Sequence, residues 1–382
     1  MKKILVVLMA LVFVAAGVFG ILTLGGKAGD PKETAQTTEA VDSSKPDGVS
    51  ESGDSKNTED ADAGKNDNGS DNTPAEVTGG EDVQDPADQS GSAEGSDIVE
   101  KTLADMSLRD KVCQMMFVRP ESITGIDVVT AAGDTTKSAL EQYPVGGIVY
   151  FAQNMESKDQ VKEMIDNSQS YSKVGLFIST DEEGGMVNRL MNTVGTTYID
   201  SMYNYKDEGI QKAHDNAYTI ASDMAVLGFN MDFAPVADVW SNPDNTVIGE
   251  RAYSDDYSQA AELVDSAVKG FKDGGVMCTL KHFPGHGDTA EDSHYSSAYV
   301  RRTKDEIMAD EMQPFTAGID AGAEFVMVGH LIVPDIDELP ATLSYKITTE
   351  MLRNDMHFEG IAITDSLAMS SIADNYGVGE SA

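Results

Sequence analysis

Short apolar runs with the length of buried strands recur along the chain after residue 98, and amphipathic stretches with helical spacing separate the later runs. The strand-like runs are 113–118, 146–151, 176–180, 231–239, 276–280, 325–329 and 360–364. The helix-like stretches are 211–227, 258–273, 304–321 and 348–356. Because strands that alternate with helices pair in parallel, the pattern predicts an α/β fold built on a parallel sheet.

Charged or polar side chains stand where the later strand-like runs end. They are Asp181, Glu182, Asp238, Lys281, His282, His330 and Asp365. Functional groups at the carboxyl ends of many strands are typical of a (β/α)8 barrel, whose active site forms at that face. A doubly wound open sheet would bind its ligand at one switch point and would leave at least half of these groups unexplained. We therefore predict a (β/α)8 TIM-type barrel.

The N-terminal segment 1–26 begins with Lys2 and Lys3 and continues with an uncharged, mostly apolar run. Its length favours an uncleaved membrane anchor over a cleaved signal peptide, because a signal core is usually about 7–15 residues long. The lysines would stay in the cytoplasm, and the rest of the chain would be extracytoplasmic. Residues 27–97 contain no aromatic side chain and are rich in Asp, Glu, Ser and Gly, so a disordered acidic linker is expected there.

The barrel domain is then expected to span 98–382. A formal net charge of -38 argues against a nucleic-acid partner, which would need clustered Lys and Arg. Cys113 and Cys278 are the only cysteines, and each lies inside an apolar run, which favours two buried free thiols over a disulfide. We expect a monomer that contacts the membrane only through its N-terminal segment.

The segment 281–294, KHFPGHGDTAEDSH, contains three of the six histidines, His282, His286 and His294. It follows a strand-like run, and its Pro and Gly residues must turn the backbone away from the strand. These residues also preclude the helical His pair of a zinc protease, and no cysteine joins the histidines. No metal site is therefore predicted here.

Asp292 and His294 are two residues apart, a spacing that places both side chains on the same side of an extended backbone. A carboxylate bound to an imidazole fixes the tautomer of the ring and raises its basicity, which makes a general acid/base. Asp365 directly follows the strand-like sequence GIAIT. Its carboxylate could be a nucleophile, or it could simply cap the following helix.

Four further polar residues lie at strand ends or in the loops that follow them: Asp181, Arg251, Lys281 and His282. Convergent donors and carboxylate acceptors of this kind suit a polyhydroxylated ligand. Taken one at a time, each of them is also explained by a salt bridge at the edge of the core.

Several motifs together resemble the catalytic domain of glycoside hydrolase family 3, most closely its bacterial β-N-acetylglucosaminidase (β-hexosaminidase) branch. They occur in the order of the family and cover the chain from about Ile98 to the end. The motifs are DEEGG at 181–185, FAPVADV at 233–239, IGERAY at 248–253, KHFPGHGDT followed by DSH at 281–294, PATLS at 340–344 and LRNDMHFEGIAITDSLAM at 352–369. Met186 stands where the family often has Arg.

The resemblance implies a role for each candidate residue. Asp365 would be the nucleophile, and His294 supported by Asp292 would be the acid/base. The hydroxyl and acetamido groups of the sugar would be held by Asp181, Arg251, Lys281 and His282. The implied enzyme is a cofactor-free, retaining exo-β-N-acetylglucosaminidase that acts on cell-wall fragments or related glycans through a covalent glycosyl-Asp intermediate.

Three alternatives remain open at this point: a β-glucosidase of the same family, a glycoside phosphorylase, and a catalytically inactive surface glycan-binding protein. The Asp292/His294 pair favours the hexosaminidase, and dependence of the rate on phosphate would separate phosphorolysis from hydrolysis. The presence of both Asp365 and His294 argues against the third, because binding alone needs neither a nucleophile nor an acid/base.

The chain ends at Ala382, whereas a barrel of the family would continue through a seventh helix, an eighth strand and an eighth helix. The resemblance therefore implies a barrel truncated before its eighth strand. Strands one and seven would then have unpaired edges. We expect residues 98–382 alone to be poorly stable and weakly active.

Overall fold

The computed structural model of the chain describes residues 91–290 and 298–382. The predicted anchor, and the predicted linker up to residue 90, lie outside the described residues. Helix α1 (Gly91–Asp105) begins seven residues before the expected start of the barrel domain at Ile98. Among the helices of the described residues, none is long and apolar enough to span a bilayer.

Nine strands are present in the described part of the chain. They are β1 (Phe117–Val118), β2 (Gly147–Val149), β3 (Phe177–Thr180), β4 (Met231–Asp232), β5 (Thr279–Phe283), β6 (Ala298–Tyr299), β7 (Phe325–Val328), β8 (Leu331–Ile332) and β9 (Ile361–Thr364). All ladders between them are parallel: β1-β2-β3-β4 form one sheet, β5-β7-β9 a second and β6-β8 a third. Isolated parallel bridges from Met231 to Met277 and from Val236 to Lys281 join the segment of β4 to the segment of β5. The two larger sheets thus form one wall of seven parallel strands.

Helices alternate with the strands along the chain. They are α2 (Leu108–Gln114), α3 (Pro120–Thr124), α4 (Asp134–Gln142), α5 (Lys158–Tyr171), α6 (Leu190–Val194), α7 (Ile210–Leu227), α8 (Tyr257–Gly274), α9 (Lys304–Ala309), α10 (Met312–Asp320), α11 (Ser370–Ala373) and α12 (Val378–Ser381). A π-helical segment spans Lys346–Asp355, and short 3-10 turns lie at Ala152–Asn154, Met202–Glu208, Gly249–Arg251 and Ala341–Leu343.

The side chains of the wall alternate between two apolar clusters, as the two-residue period of a strand requires. One cluster, which we call the interior cluster, draws on every strand of the wall except β5, next to which it includes Met277, two residues before that strand begins. Its members are Phe117, Val149, Phe151, Phe177, Met231, Phe233, Met277, Phe325, Met327, Ile361 and Ile363. The residues between them, such as Ile178, Leu280 and Val326, belong to a larger core with the helices. This confirms the prediction of an α/β barrel-like fold with parallel strands.

Several elements differ from the sequence expectation. The run 113–118 contributes only two strand residues, because Cys113 lies in helix α2. Strand β5 extends to Phe283, so Lys281 and His282 lie in the barrel wall and not in a loop. The stretch 304–321 forms two helices, α9 and α10, instead of one. Both cysteines are free, but only Cys278 is buried; Cys113 is partly exposed.

Candidate active site

Three predicted site residues lie at one end of the barrel interior. Asp181, Lys281 and Asp365 each follow a member of the interior cluster by an even number of residues, after β3, within β5 and after β9. Because side chains alternate along a strand, all three belong to the inward-facing rows. They stand at the carboxyl ends of the strands, the face at which barrel enzymes build their sites.

Lys281 and Arg251 are joined by a carboxylate that the sequence analysis did not assign, that of Glu183. The Lys281 Nζ lies 3.0 Å from Asp181 Oδ1 and 2.5 Å from Glu183 Oε1. Arg251 binds both oxygens of Glu183, from Nε at 2.8 Å and from Nη2 at 2.9 Å. Asp181, Lys281, Glu183 and Arg251 thus form one continuous chain of ion pairs, which we call the charged cluster.

Glu183 and Lys281 are held in their ionised forms by their charged neighbours. Burial alone would raise the pKa of Glu183, but the nearby charges of Arg251 and Lys281 outweigh it and hold that pKa well below its usual range. Burial alone would lower the pKa of Lys281, but the Glu183 and Asp181 carboxylates raise it above its ordinary value. The mouth of the barrel therefore carries fixed charges of both signs at neutral pH.

Glu182, between the two site carboxylates, has a structural role. Its side chain accepts hydrogen bonds from the backbone N–H groups of Arg189, Leu190 and Met191 at 2.6, 2.7 and 3.0 Å, where helix α6 begins. Its own N–H donates to Asp232 Oδ1 at 3.0 Å. The turn after β3 therefore directs Glu182 toward the start of α6, whereas Asp181 and Glu183 contact Lys281 in the site.

His282 is oriented by the buried carboxylate of Asp238. Its Nδ1 lies 2.7 Å from Asp238 Oδ2. Asp238 also accepts from the backbone N–H groups of His282 at 3.1 Å and of His286 at 2.6 Å. Burial would raise the pKa of Asp238, but the His282 ring and these donors lower it overall. In the neutral ring Nδ1–H donates to this carboxylate, and Nε2 of His282 is then the hydrogen-bond acceptor.

Asp365 is fixed by its backbone and by the turn that follows it. Its N–H donates to Val328 O at 2.9 Å, and its Oδ1 accepts from the N–H of Ser366 at 2.6 Å. The Ser366 carbonyl is itself bound by buried His330, whose Nε2 lies 2.8 Å away. The Nδ1 of His330 lies 2.9 Å from Thr342 Oγ1. His330 thus supports the turn beside the predicted nucleophile, a role that its strand-end position alone did not indicate.

The predicted acid/base pair, Asp292 and His294, lies outside the described residues, so its position relative to Asp365 stays a prediction. The chain that leads to it is described as far as Ala290. His286, in this part, is buried, and burial lowers the pKa of its ring to about 4. The ring therefore stays neutral at the pH of most enzyme assays.

The loop after β5 is fastened to the loop that carries Arg251. Asn245 Nδ2 donates to His286 O at 2.8 Å and to Gly287 O at 3.1 Å, and its Oδ1 accepts from Val247 N–H at 2.9 Å. A Cβ atom on Gly287 would lie 1.6 Å from Val239 O, so the two backbones touch. The sequence did not single out Asn245. The one feature that could have indicated its role is its position in the loop between the motifs at 233–239 and 248–253.

Over residues 91–290 and 298–382, no group of three His, Cys, Asp or Glu side chains is arranged to hold a metal ion. The charged side chains at the barrel mouth instead pair with one another. They offer carboxylate acceptors, ammonium and guanidinium donors and an imidazole acceptor, a set that can bind several hydroxyl groups at once.

Comparison with known proteins shows the same resemblance over most of the chain. The sequence model described as "Glycosyl hydrolase family 3 N terminal domain" matches residues 107–382. Beta-hexosaminidase A of Pseudoalteromonas piscicida is 34% identical over 256 residues, which are 62% of this chain and 43% of that protein. The beta-hexosaminidase of Stenotrophomonas maltophilia is 33% identical over 248 residues, 63% of this chain and 72% of the relative.

Solved structures give a consistent result. A glycoside hydrolase family 3 beta-N-acetylglucosaminidase from a Paenibacillus species superposes with a TM-score of 0.68 at 36% identity, over 72% of this chain and 52% of that one. NagZ from Neisseria gonorrhoeae superposes with a TM-score of 0.60 at 29% identity, over 63% and 72% of the two chains. This chain therefore spans about half the length of some of the relatives that it matches.

Proposed function

The chain belongs to glycosyl hydrolase family 3, and from this premise we propose that it is a retaining exo-β-N-acetylglucosaminidase. The observation that carries the proposal is the charged cluster at the barrel mouth, of which Asp181 and Lys281 share the inward-facing rows with Asp365. Named relatives that are beta-hexosaminidases and beta-N-acetylglucosaminidases support the choice of sugar. The natural glycan proposed is a cell-wall fragment or a related chain that ends in N-acetylglucosamine.

In this proposal the charged cluster and His282 bind the terminal sugar. Asp181 accepts hydrogen bonds from hydroxyl groups, while Lys281 and Arg251 donate to hydroxyl or acetamido oxygens. His282 accepts through Nε2, because Asp238 occupies Nδ1. Glu183 keeps the two cations in place. Interactions with charged groups are stronger than those between neutral groups, which suits a site that must distort a sugar toward its transition state.

The reaction follows a double displacement in this proposal. A carboxylate oxygen of Asp365 attacks the anomeric carbon as the bond to the leaving oxygen breaks, and His294 gives that oxygen its proton. Water then attacks the anomeric carbon of the glycosyl-Asp intermediate and passes a proton to His294, and the Asp365 carboxylate is released. Asp292 would orient the His294 ring and stabilise its charged form. No cofactor takes part in either step.

The proposed location is extracytoplasmic, with attachment to the membrane through the N-terminal segment. The apolar run of that segment, and its two preceding lysines, support this location. A cell-wall fragment would meet the enzyme on that side of the membrane.

The decisive experiment compares Asp365→Asn with the parent chain on aryl β-N-acetylglucosaminide and aryl β-glucoside substrates. We expect the parent to prefer the first sugar and the variant to lose about 10³-fold or more in kcat, the scale of loss when a nucleophile is removed. Asp374→Asn, at an exposed carboxylate beyond the site, is the matched control and should retain full turnover. Preference for the glucoside, dependence of the rate on phosphate, or full activity of Asp365→Asn would contradict the proposal.

A further inference from the structure

Arg302 lies where the chain returns from the loop of the proposed acid/base, three residues after β6 ends. Its guanidinium donates hydrogen bonds to three acceptors, one at the start of α8 and two at the junction of α9 and α10. Nη1 donates to Tyr257 Oη at 2.8 Å and to Glu311 Oε1, and Nη2 donates to Asp310 Oδ2. Tyr257 Oη in turn donates to Glu311 Oε1 at 3.1 Å. The return stem of the loop is therefore tied to the start of α8 and to the junction of α9 and α10.

The outgoing stem of the same loop rests on the same carboxylate. Gly285 lies so close to Glu311 that a Cβ atom on it would be 2.8 Å from Glu311 Cγ. Glu311 is only 3% exposed, so this contact lies inside the protein. The charge of Arg302 also reaches Asp288, where it opposes the rise in pKa that burial gives to that carboxyl. Glu311 thus contacts the outgoing stem at Gly285 and the return stem at Arg302, one on each side of residues 289–297.

The Arg302–Glu311 pair is better shielded from water than an ordinary surface ion pair. The side chains of Arg302 and Glu311 are 18% and 4% exposed. Exposed pairs contribute about 0–1 kcal/mol because water and salt screen them, whereas breaking a buried pair leaves an uncompensated charge behind. Loss of Arg302 should therefore change how the two stems are held.

We propose that Arg302, acting through Glu311 and Tyr257, is a positioning residue for the acid/base loop. The pair fixes the separation of the two stems, and so sets how the proposed acid/base reaches the leaving oxygen. This inference rests on the proposed function, because it needs an acid/base between the stems. It adds Arg302, Glu311 and Tyr257 to a reaction whose other groups stand at the barrel mouth.

A change in leaving-group dependence distinguishes positioning of the acid from a general loss of structure. A dinitrophenolate leaves without a proton, whereas the alcohol of a disaccharide must be protonated as it departs. A misplaced acid therefore slows hydrolysis of N,N′-diacetylchitobiose far more than hydrolysis of 2,4-dinitrophenyl β-N-acetylglucosaminide. A damaged fold slows both by the same factor.

The test uses Arg302→Met, which keeps the length of the side chain and removes its charge. We expect kcat/KM for the disaccharide to fall about 10- to 100-fold further than kcat/KM for the dinitrophenyl substrate, within the usual contribution of acid catalysis. Added azide, which needs no general base, should raise kcat of the variant on the dinitrophenyl substrate. Lys304→Met is the matched control, since Lys304 forms an exposed pair with Asp355 at 2.7 Å on the neighbouring helix.

Two milder variants keep the test informative if Arg302→Met folds poorly. Tyr257→Phe removes one hydrogen bond of the network, and Arg302→Lys keeps the charge but not the fork geometry. Both should shift the ratio of the two kcat/KM values in the same direction by a smaller factor. Equal losses on both substrates, or no loss, would overturn the inference while the proposed function stands. A parent chain with no turnover of either N-acetylglucosaminide would remove the proposed function and this inference with it.

Discussion

Glu183 is the residue on which the charged cluster depends, because it pairs with two cations at once, the buried Lys281 and the partly buried Arg251. In Glu183→Gln, Lys281 keeps Asp181 as a partner but Arg251 loses its bidentate carboxylate. We expect the free energy of unfolding to fall by about 3–5 kcal/mol, as when one member of a buried pair is removed. Urea denaturation followed by circular dichroism would measure the change.

The control for this variant is Asp265→Asn. Asp265 pairs with Lys269 at 2.6 Å on the surface of α8, where their side chains are 36% and 55% exposed. Removal of that pair should cost no more than about 0.5 kcal/mol. If the two variants lost the same amount of stability, the charged cluster would be no more important than a surface ion pair.

His286 should make stability depend on pH in a defined direction. Its pKa is lowered by burial to about 4 in the folded chain, whereas an unfolded histidine titrates near about 6.5. Between these two pKa values the unfolded chain binds more protons than the folded chain. The stabilisation that comes from neutral His286 is therefore complete above about pH 6.5 and is lost as the pH falls toward about 4. The loss amounts to about 3 kcal/mol.

The measurement is the drop in unfolding free energy between pH 7 and pH 4.5 in the parent chain and in His286→Asn. The drop should be smaller in the variant. His214→Asn provides the opposite control, because a hydrogen bond to Asp273 raises the pKa of His214 and favours the folded state at low pH. That variant should not reduce the drop. An equal drop in the parent and in His286→Asn would show that His286 is not neutral in the fold.

The sequence predicted where a site residue lies when that residue ends a strand-like apolar run. Asp181, Lys281 and Asp365 were placed at the barrel mouth because they end apolar runs. Glu183 was not distinguished from Glu182, since both are acidic residues in the same short motif. The backbone turn after β3 directs Glu182 to the start of α6 and Glu183 to Lys281. The periodic spacing of apolar residues in the sequence does not predict this turn.

At the scale of elements, tertiary contacts overrode local pattern where two loops meet. The apolar spacing of 304–321 predicted one helix, but the helix is interrupted at Asp310 and Glu311. The carboxylates of these two residues bind Arg302. Strand β5 likewise extends past its apolar run, because the Lys281 carbonyl accepts from Ala237 N–H at 2.7 Å in the neighbouring segment. Partners that are distant in sequence fix both boundaries, so neither could be predicted from the local sequence.

The contact between the β4 and β5 loops should be sensitive to a single methyl group. In Gly287→Ala the new Cβ would lie 1.6 Å from Val239 O, so one backbone must move. We expect kcat/KM to fall at least about tenfold, since small displacements of positioned groups have effects of that size or more. Gly133→Ala is the control: its Cβ would meet no atom within 4 Å and its φ is -126°. Equal activity of the two variants would show that the loops are not rigidly joined.

At the scale of the whole molecule, alternation of strands and helices was enough to predict the barrel-like fold. The motif set was enough to identify the family. The network that joins Arg302 to Gly285 could not be predicted, because it unites segments from Tyr257 to Glu311 that only the fold brings together. Sequence therefore indicates the residues that would act on the substrate better than those that hold them in place.

The excess of acidic over basic residues, which continues through the barrel domain 98–382, gives a further prediction for the whole molecule. Repulsion among so many like charges destabilises a compact state. Raising NaCl from about 0.01 to 1 M shortens the Debye length from about 30 to 3 Å, which should raise the Tm by several degrees at pH 7.5. The charged cluster is mostly buried, so salt should screen it little. Its attraction should therefore not turn the expected rise in Tm into a fall.

The same salt series near pH 4.5 is the control, because the sequence pI is about 4.2 and the net charge there is small. The rise in Tm should then shrink or vanish, as repulsion has already been removed by protonation. Differential scanning calorimetry at both pH values would measure the two slopes. If salt lowered the Tm at pH 7.5, attraction within specific surface ion pairs would outweigh repulsion among the excess negative charges. The prediction that the acidic composition destabilises the fold would then be wrong.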